Sequence, residues 1–353
     1  MGRGEHPGRK DPLQERPDGG AGDIAKRRHQ VAGPRGRRHL TFRLGGKKSM
    51  AQKVGFIGLG QMGKWMALNV LKAGFPLMVH DIRPEAVAEL TEQGAEAAGD
   101  LGELARSCGQ IILSLPDAEV VRSVLLGEQG LEPSLSTGQL IIDCSTTNSL
   151  FAQEMAKRLR PKGVTVLDAP ISGMQEKVRE GRLTIMIGGE EAAYEAARPL
   201  LAAMGNHLVY LGGTGNGQLA KTLNNVLFDI SCAAMAEILP VAVKMGIPAR
   251  EFCSLVSRSS GQSYGFDFFA PLTLERNFSV GYSLDNAYKD MANLLELATL
   301  HHIPLPVTSG TMHTYQLAQA LGHGAENKGA MIKVWEQVLG VRVEAPPTAA
   351  PQE

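Results

Sequence analysis

Cysteine is scarce in this chain. The four cysteines (Cys108, Cys144, Cys232 and Cys253) stand alone, with no CxxC pair and no ladder of spacings. That argues against a disulfide framework and a zinc site, and it fits a reducing, cytoplasmic compartment. The histidines, His301-His302 included, are scattered without metal-ligand spacing, so no metal is expected. No apolar run approaches the ~20 residues needed to cross a bilayer, so no membrane span is expected.

Net charge is also absent, since 36 Lys+Arg balance 36 Asp+Glu, but the balance hides an asymmetry. Residues 1–49 carry 13 Lys/Arg and 5 Asp/Glu, a net of +8, and the remaining residues carry 23 and 31, a net of −8. The first 49 residues have no apolar periodicity and are dense in Gly, Pro and Arg, which predicts a disordered basic extension. They contain no apolar stretch for a secretory signal, and they are neither acid-poor nor Ser-rich as a transit peptide would be. Gly45-Gly46-Lys47-Lys48 would be encoded by a purine-rich tract like a bacterial ribosome-binding site, just ahead of Met50. Translation from Met50 is the preferred reading, to be checked by mass spectrometry of the native N-terminus. Its rival is a nucleic-acid-binding arm built on Lys26-Arg27-Arg28 and the arginines between 35 and 38.

What is present is an ordinary globular balance, 43% hydrophobic and 20% charged over 353 residues, enough for two domains. From Lys53 onward, strand-like runs alternate with amphipathic stretches. The strands are VGFIG (54–58), PLMVH (76–80), QIILSL (110–115), QLIID (139–143), VTVLD (164–168) and LTIMIGG (183–189), with HLVYLG (207–212) as the last. This alternation predicts βαβ units and a parallel sheet covered on both faces. After Gly213 strand signals nearly vanish. Residues 216–246 read as one long helix largely buried on all sides and stopped at Gly246. Helical patterns follow at 249–259, 284–300 and twice between 308 and 340, and the Pro/Ala-rich tail from 343 reads as disordered.

Four stretches carry chemistry. Gly58-Leu59-Gly60-Gln61-Met62-Gly63 follows a strand and opens a helix, the context a dinucleotide-binding turn requires. Its glycines allow the tight turn, backbone approach to a pyrophosphate and close helix–strand packing. Asp81 ends the second strand, where a carboxylate accepts from adenosine ribose hydroxyls and favours NAD over NADP. Arg83 nearby could instead hold a 2′-phosphate, and is read as a solvated cation. Ser145-Thr146-Thr147-Asn148 follows a central strand, where helix capping and ligand binding both occur. Lys221 lies on the apolar stripe of the long helix, with Asn225 one turn on. A pair handling a substrate hydroxyl and a snorkelling surface lysine are both open on pattern alone. Finally, TVLDAPISG (165–173) ends in a bare Ser172-Gly173 before the polar MQEKVR, consistent with either a flexible loop or exposed backbone for a ligand.

Taken together these stretches resemble the β-hydroxyacid dehydrogenases over residues 53–341. VGFIGLGQMGKWMALNVLKAG is similar to the family's N-terminal cofactor motif and DAPISGMQEKVREGRLTIMIGG to its substrate motif. GNGQLAKTLNN is similar to its catalytic motif, and YKDMANLLELA to its C-terminal cofactor motif. The resemblance implies a Rossmann-type, mostly parallel sheet domain (50–213) followed by an all-helical domain (214–342), with the active site between them. It implies Lys221 as acid/base with Asn225 orienting the substrate, and Ser172, Gly173 and Met174 at a carboxylate. Thr146 would stand at the cofactor–substrate junction. Leu115 and Pro116 would join the 58–63 turn and Asp81 around NAD, and Tyr282 and Lys289 would reach it from the second domain, with Asp290 supporting the closed cleft. A homodimer or homotetramer acting on a small carboxylate is the implied assembly. Met174 departs from the family's usual second glycine and adds bulk at the carboxylate. An imine reductase shares the scaffold but typically lacks the lysine, so Lys221 argues against it. A non-catalytic protein anchored to nucleic acid by the basic arm is the rival from another class.

Overall fold

The computed structural model describes residues 53–345. The extension at 1–49, its proposed start at Met50 and tail residues 346–353 lie outside the described residues. The first half runs β1 (Val54–Ile57), α1 (Gly63–Lys72), β2 (Leu77–His80), α2 (Pro84–Thr91) and β3 (Glu96–Ala97). It continues through α3 (Leu101–Ser107), β4 (Gln110–Leu113), α4 (Ala118–Leu126), β5 (Leu140–Asp143), α5 (Ser149–Leu159) and β6 (Thr165–Asp168). The six strands form one parallel sheet in the order β3-β2-β1-β4-β5-β6. Its central strands are buried on both faces, so they read as continuous apolar runs rather than alternating ones. One apolar cluster lies on each face of the sheet. Strand order reverses between β1 and β4, the switch point at which ligands lie beyond the strands' carboxyl ends. Asp100, Asp117 and Asn148 cap α3, α4 and α5 through their side chains, and α1 has no side-chain cap.

Next come β7 (Ile171–Ser172), α6 (Gln175–Arg179), β8 (Leu183–Ile187), α7 (Glu191–Met204) and β9 (Gly205–Tyr210). Here the fold departs from the sequence reading. The last two runs leave the main sheet and form a three-stranded one, with β7 antiparallel and β9 parallel to β8. A bridge between Asp168 and Gly188 joins the two sheets.

The helical part comprises α8 (Asn216–Lys244), α9 (Ala249–Val256), α10 (Tyr264–Leu274), α11 (Leu284–Leu300), α12 (Pro306–Ala320) and α13 (Ile332–Leu339), around a core of its own. Two expectations about α8 need correction. By length and composition it is long and apolar enough to cross a membrane, although half of its most apolar window is buried inside the protein. Nor is it largely buried all round, because Leu227 and Ile238 are 70% and 53% exposed. The expected tail disorder fails at 343–345 as well. Val343 is fully buried and its N–H donates to Glu336 Oε1 (2.6 Å), while the Ala345 N–H donates to the Leu274 carbonyl (2.9 Å).

Candidate active site

At the switch point, a cavity of about 840 Å³ is lined by Gly58, Gly60, Gln61, Met62 and Gly63, by His80 and Asp81, and by Ser114, Leu115 and Pro116. The turn into α1 explains its glycines. Gly58 has φ +93°, and a Cβ there would meet the Ser114 carbonyl oxygen at 2.2 Å. A Cβ on Gly63 would stand 1.9 Å from the Gly58 carbonyl oxygen. At Gly60 a Cβ would meet nothing within 4 Å, so the turn's outer backbone is bare where a pyrophosphate approaches. With no capping side chain and no acidic residue in its first turn, α1 presents its positive N-terminal end to phosphate, although its Lys64 N–H donates to the Gly60 carbonyl (3.2 Å). These residues fit a dinucleotide. Leu59 faces elsewhere: its side chain is buried in the core and its N–H donates to Asp81 Oδ2 (2.6 Å).

Arg83 is exposed, as a solvated cation would be, and is also paired. Its Nε and main-chain N–H donate to Asp81 Oδ1 (3.1 and 2.9 Å), and its Nη2 donates to the Leu59 carbonyl (3.0 Å). Burial works to raise the Asp81 carboxyl, but the donors from Arg83 and Leu59 outweigh it and hold the group below its ordinary value. The Asp81 charge is thus fixed at the end of β2, with Arg83 drawn back onto it.

A second cavity, of about 560 Å³, lies where β7 and α6 face α8 and α10. It gathers Thr146, Ser172, Gly173, Met174, Lys221 and Asn225, which come from three separate stretches of sequence. Gly173 takes φ +148°, and a Cβ there would press within 2.8 Å of Leu183 Cδ2. Met174 has φ −91°, so its backbone carries no strain and its side chain simply adds bulk to the wall. The N–H groups of Gly173 and Met174 donate to no atom among the described residues. On the facing helix, Lys221 is half-buried and makes no ion pair among the described residues. Burial lowers its proton affinity from the ordinary lysine value, Asp290 and Asp229 pull upward, and Lys328 adds to the lowering. Asn225 Nδ2 donates to the buried Asp290 Oδ2 (2.8 Å), which turns the amide relative to the cavity and fixes it. Tyr282 lines the same cavity, and its hydroxyl donates to the same carboxylate oxygen (3.3 Å).

Comparison with known proteins gives this arrangement its context. Residues 53–212 match the NAD binding domain of 6-phosphogluconate dehydrogenase. Residues 215–335 match the family described as NAD-binding of NADP-dependent 3-hydroxyisobutyrate dehydrogenase. The chain is 36% identical over 292 residues to 2-(hydroxymethyl)glutarate dehydrogenase of Eubacterium barkeri, covering 82% of this chain and 97% of that one. It is 33% identical to the mitochondrial 3-hydroxyisobutyrate dehydrogenase of Mus musculus, covering 79% and 86% respectively. Among solved structures, 3-hydroxyisobutyrate dehydrogenase from Salmonella typhimurium superposes with a TM-score of 0.72 at 30% identity, covering 80% of this chain and 99% of the other.

The chain belongs to the β-hydroxyacid dehydrogenase family.

As such a dehydrogenase it is an oxidoreductase of small hydroxy acids that uses a nicotinamide cofactor, NAD. The two cavities divide the residues picked out in its sequence. Gly58, Gly60, Gln61, Met62, Gly63, Asp81, Leu115 and Pro116 line the first, and Thr146, Ser172, Gly173, Met174, Lys221, Asn225 and Tyr282 the second. Lys289 enters neither, its side chain being exposed on α11. In the Ser145–Asn148 cluster both readings apply, to different residues. Asn148 caps α5 by accepting from the Phe151 N–H (2.8 Å), and Thr146 faces the second cavity. Several residues of this dehydrogenase's second cavity were not assigned to it from sequence. Lys328 is 1% exposed, is paired with the fully buried Asp229, and sits 4.1 Å from the Phe228 ring centroid and 5.2 Å from that of Tyr282. Lys177, read in the sequence only as part of the polar MQEKVR, lies on α6, and Asn224 stands one residue before Asn225; Phe228, Ser231, Ser263 and Tyr264 line the cavity as well.

Proposed function

We propose that the protein interconverts a small β-hydroxy acid and its semialdehyde or oxo acid, with Lys221 as general acid/base. The observation that carries this is the meeting, across one cavity, of Lys221 and Asn225 with the Gly173 and Met174 N–H groups, which donate to no atom among the described residues. Those N–H groups would hold the substrate carboxylate, and Ser172 would flank it. Asn225, fixed by Asp290, would present its amide to the hydroxyl and set it against Lys221 Nζ. The Gly58–Gly63 turn and Asp81 would hold NAD, which would supply the hydride acceptor. In the oxidative direction the hydroxyl proton passes to the neutral Lys221 amine as the carbon–hydrogen bond gives up its hydride, leaving a carbonyl. In reduction Lys221, now an ammonium, returns that proton to the developing alkoxide.

A substrate of the 3-hydroxyisobutyrate or tartronate semialdehyde kind suits the carboxylate turn. The relatives named for 3-hydroxyisobutyrate and 2-(hydroxymethyl)glutarate support the same class. A panel of hydroxy acids and semialdehydes followed at 340 nm, with NAD and NADP in parallel, tests the reading. Lys221→Ala should lose about 10²–10⁴-fold in turnover while keeping NAD affinity, and near-normal turnover would refute the assignment. We place the enzyme in the cytoplasm, as a homodimer or homotetramer, a reading supported by its four free buried cysteines and by the exposed apolar side chains of α8. Light scattering checks the assembly.

A further inference from the structure

The wall of the substrate cavity is unbalanced in charge. Three ammonium side chains line it, Lys177, Lys221 and Lys328, and no carboxylate does. Two of the three already have work. Lys328 is locked to Asp229 behind the cavity, and Lys221 faces Asn225 and the hydroxyl position. Lys177 makes no ion pair or side-chain hydrogen bond among the described residues. Its neighbours in sequence do: Glu180 pairs with Arg182, and the Arg179 guanidinium lies 4.6 Å from the Trp65 ring centroid.

The stem of Lys177 lies against the substrate turn. Its Cβ and Cδ would come within 3.3 and 3.5 Å of a Cβ built on Gly173, so the lysine stem runs alongside the turn that carries the unpaired N–H groups. A single substrate carboxylate is already met by those N–H groups. The wall beyond them sets Asn224, Ser231, Ser263 and Tyr264 beside Leu227 and Phe228, so hydrogen-bond partners for a second polar group stand next to apolar surface.

We propose that Lys177 reads a second acid group on the substrate, so that this enzyme prefers β-hydroxy acids bearing two anionic groups over monoacids. The proposal rests on the hydroxy-acid reading above and names the substrate class for that site. A charge-assisted hydrogen bond of this kind changes affinity by about 10- to 100-fold.

The test compares kcat/KM for 2-(hydroxymethyl)butanedioate and 2-(hydroxymethyl)pentanedioate with that for their monoamides and for 3-hydroxy-2-methylpropanoate, using NAD. Wild-type enzyme should favour a diacid over its monoamide by about 10- to 100-fold, and the preference should shrink as salt screens the pair. Lys177→Gln should abolish that preference through KM with little change in kcat, and Lys177→Arg should retain most of it. Since Lys177 is exposed on a short helix, neither variant threatens the core. A monoacid turned over as well as the diacids, or a Lys177→Gln variant with the preference intact, overturns the proposal and leaves the hydroxy-acid reading standing. If wild type oxidises no hydroxy acid, mono or di, the underlying reading falls and this one with it.

Discussion

Lys221 is a base only when it is neutral, and its surroundings decide at which pH that is. Burial favours the neutral amine most strongly, and the Lys328 ammonium pushes the same way. Asp290 and Asp229 oppose them, so the net displacement is downward from the ordinary 10.5. In the oxidative direction the neutral amine accepts the hydroxyl proton, so kcat/KM should rise with pH through a midpoint below 10.5. In the reductive direction the ammonium donates, so the rate should fall through the same midpoint. Paired pH profiles on one hydroxy acid and its semialdehyde check this, and a common midpoint at or above 10.5 would contradict it. Arg83 shows the same dependence on surroundings. Sequence places it two residues from Asp81, which leaves a phosphate reader and a solvated cation both open, and the folded turn adds a third option. The guanidinium bridges Asp81 and the Leu59 carbonyl, so it secures the turn.

Among the elements, the turn between β1 and α1 gives the sharpest contrast in what a methyl group costs. Gly60→Ala places its Cβ in open space, so the fold and its melting temperature should hold while NAD binding weakens by about tenfold or more. Gly63→Ala drives a Cβ into the Gly58 carbonyl oxygen, and overpacking of this kind costs about 1–3 kcal/mol or more. Thermal melts and NAD titrations of the two variants separate the roles, and equal losses of stability would sink the distinction. This turn was legible because a buried parallel strand, a glycine spacing and an amphipathic helix each leave their own mark in consecutive residues. Other elements leave less. β3 and β7 have two residues each, too few to show a period. α10 packs Phe266, Phe269 and Ala270 with Pro271 in its interior, so its apolar residues run together and its proline reads as a stop. The Lys328–Asp229 pair was invisible for another reason: its members lie 99 residues apart, and nothing local in either marks the partner.

For the whole molecule the central question is how the sheet domain holds the helix that carries Lys221. The fully buried Asp168, last residue of β6, aims its carboxylate at the start of α8. Its Oδ1 accepts from the Gly215 N–H (2.7 Å) and its Oδ2 from the Gln218 N–H (2.9 Å). Gln218 in turn accepts from the Thr147 N–H (3.0 Å) and donates to the Ser145 carbonyl (2.8 Å), tying α8 to the loop after β5 as well. An N-terminal cap is usually supplied by the helix's own preceding residue, but that residue is Gly215, which has no side chain, and the sheet supplies the cap instead. Lys221 follows less than one turn after Gln218, so the catalytic helix takes its register from β6. Asp168→Ala leaves two buried N–H groups without acceptors, each a charge-assisted bond of about 1.5–3 kcal/mol. At about 2–4 °C per kcal/mol the melting temperature should fall on the order of 10 °C. Because the lost bonds set where Lys221 points, kcat should fall too, with NAD affinity, which depends on the Gly58–Gly63 turn, nearly unchanged. Asp168→Asn keeps one acceptor but presents an amide donor to the other N–H, so it should lie between wild type and Asp168→Ala in both measurements. A variant that melts like wild type yet loses kcat would show that Asp168 positions α8 without stabilising it. Unchanged values in both would mean that the contacts of α8 with β8 and α5 are enough to hold the helix, and that the cap is redundant.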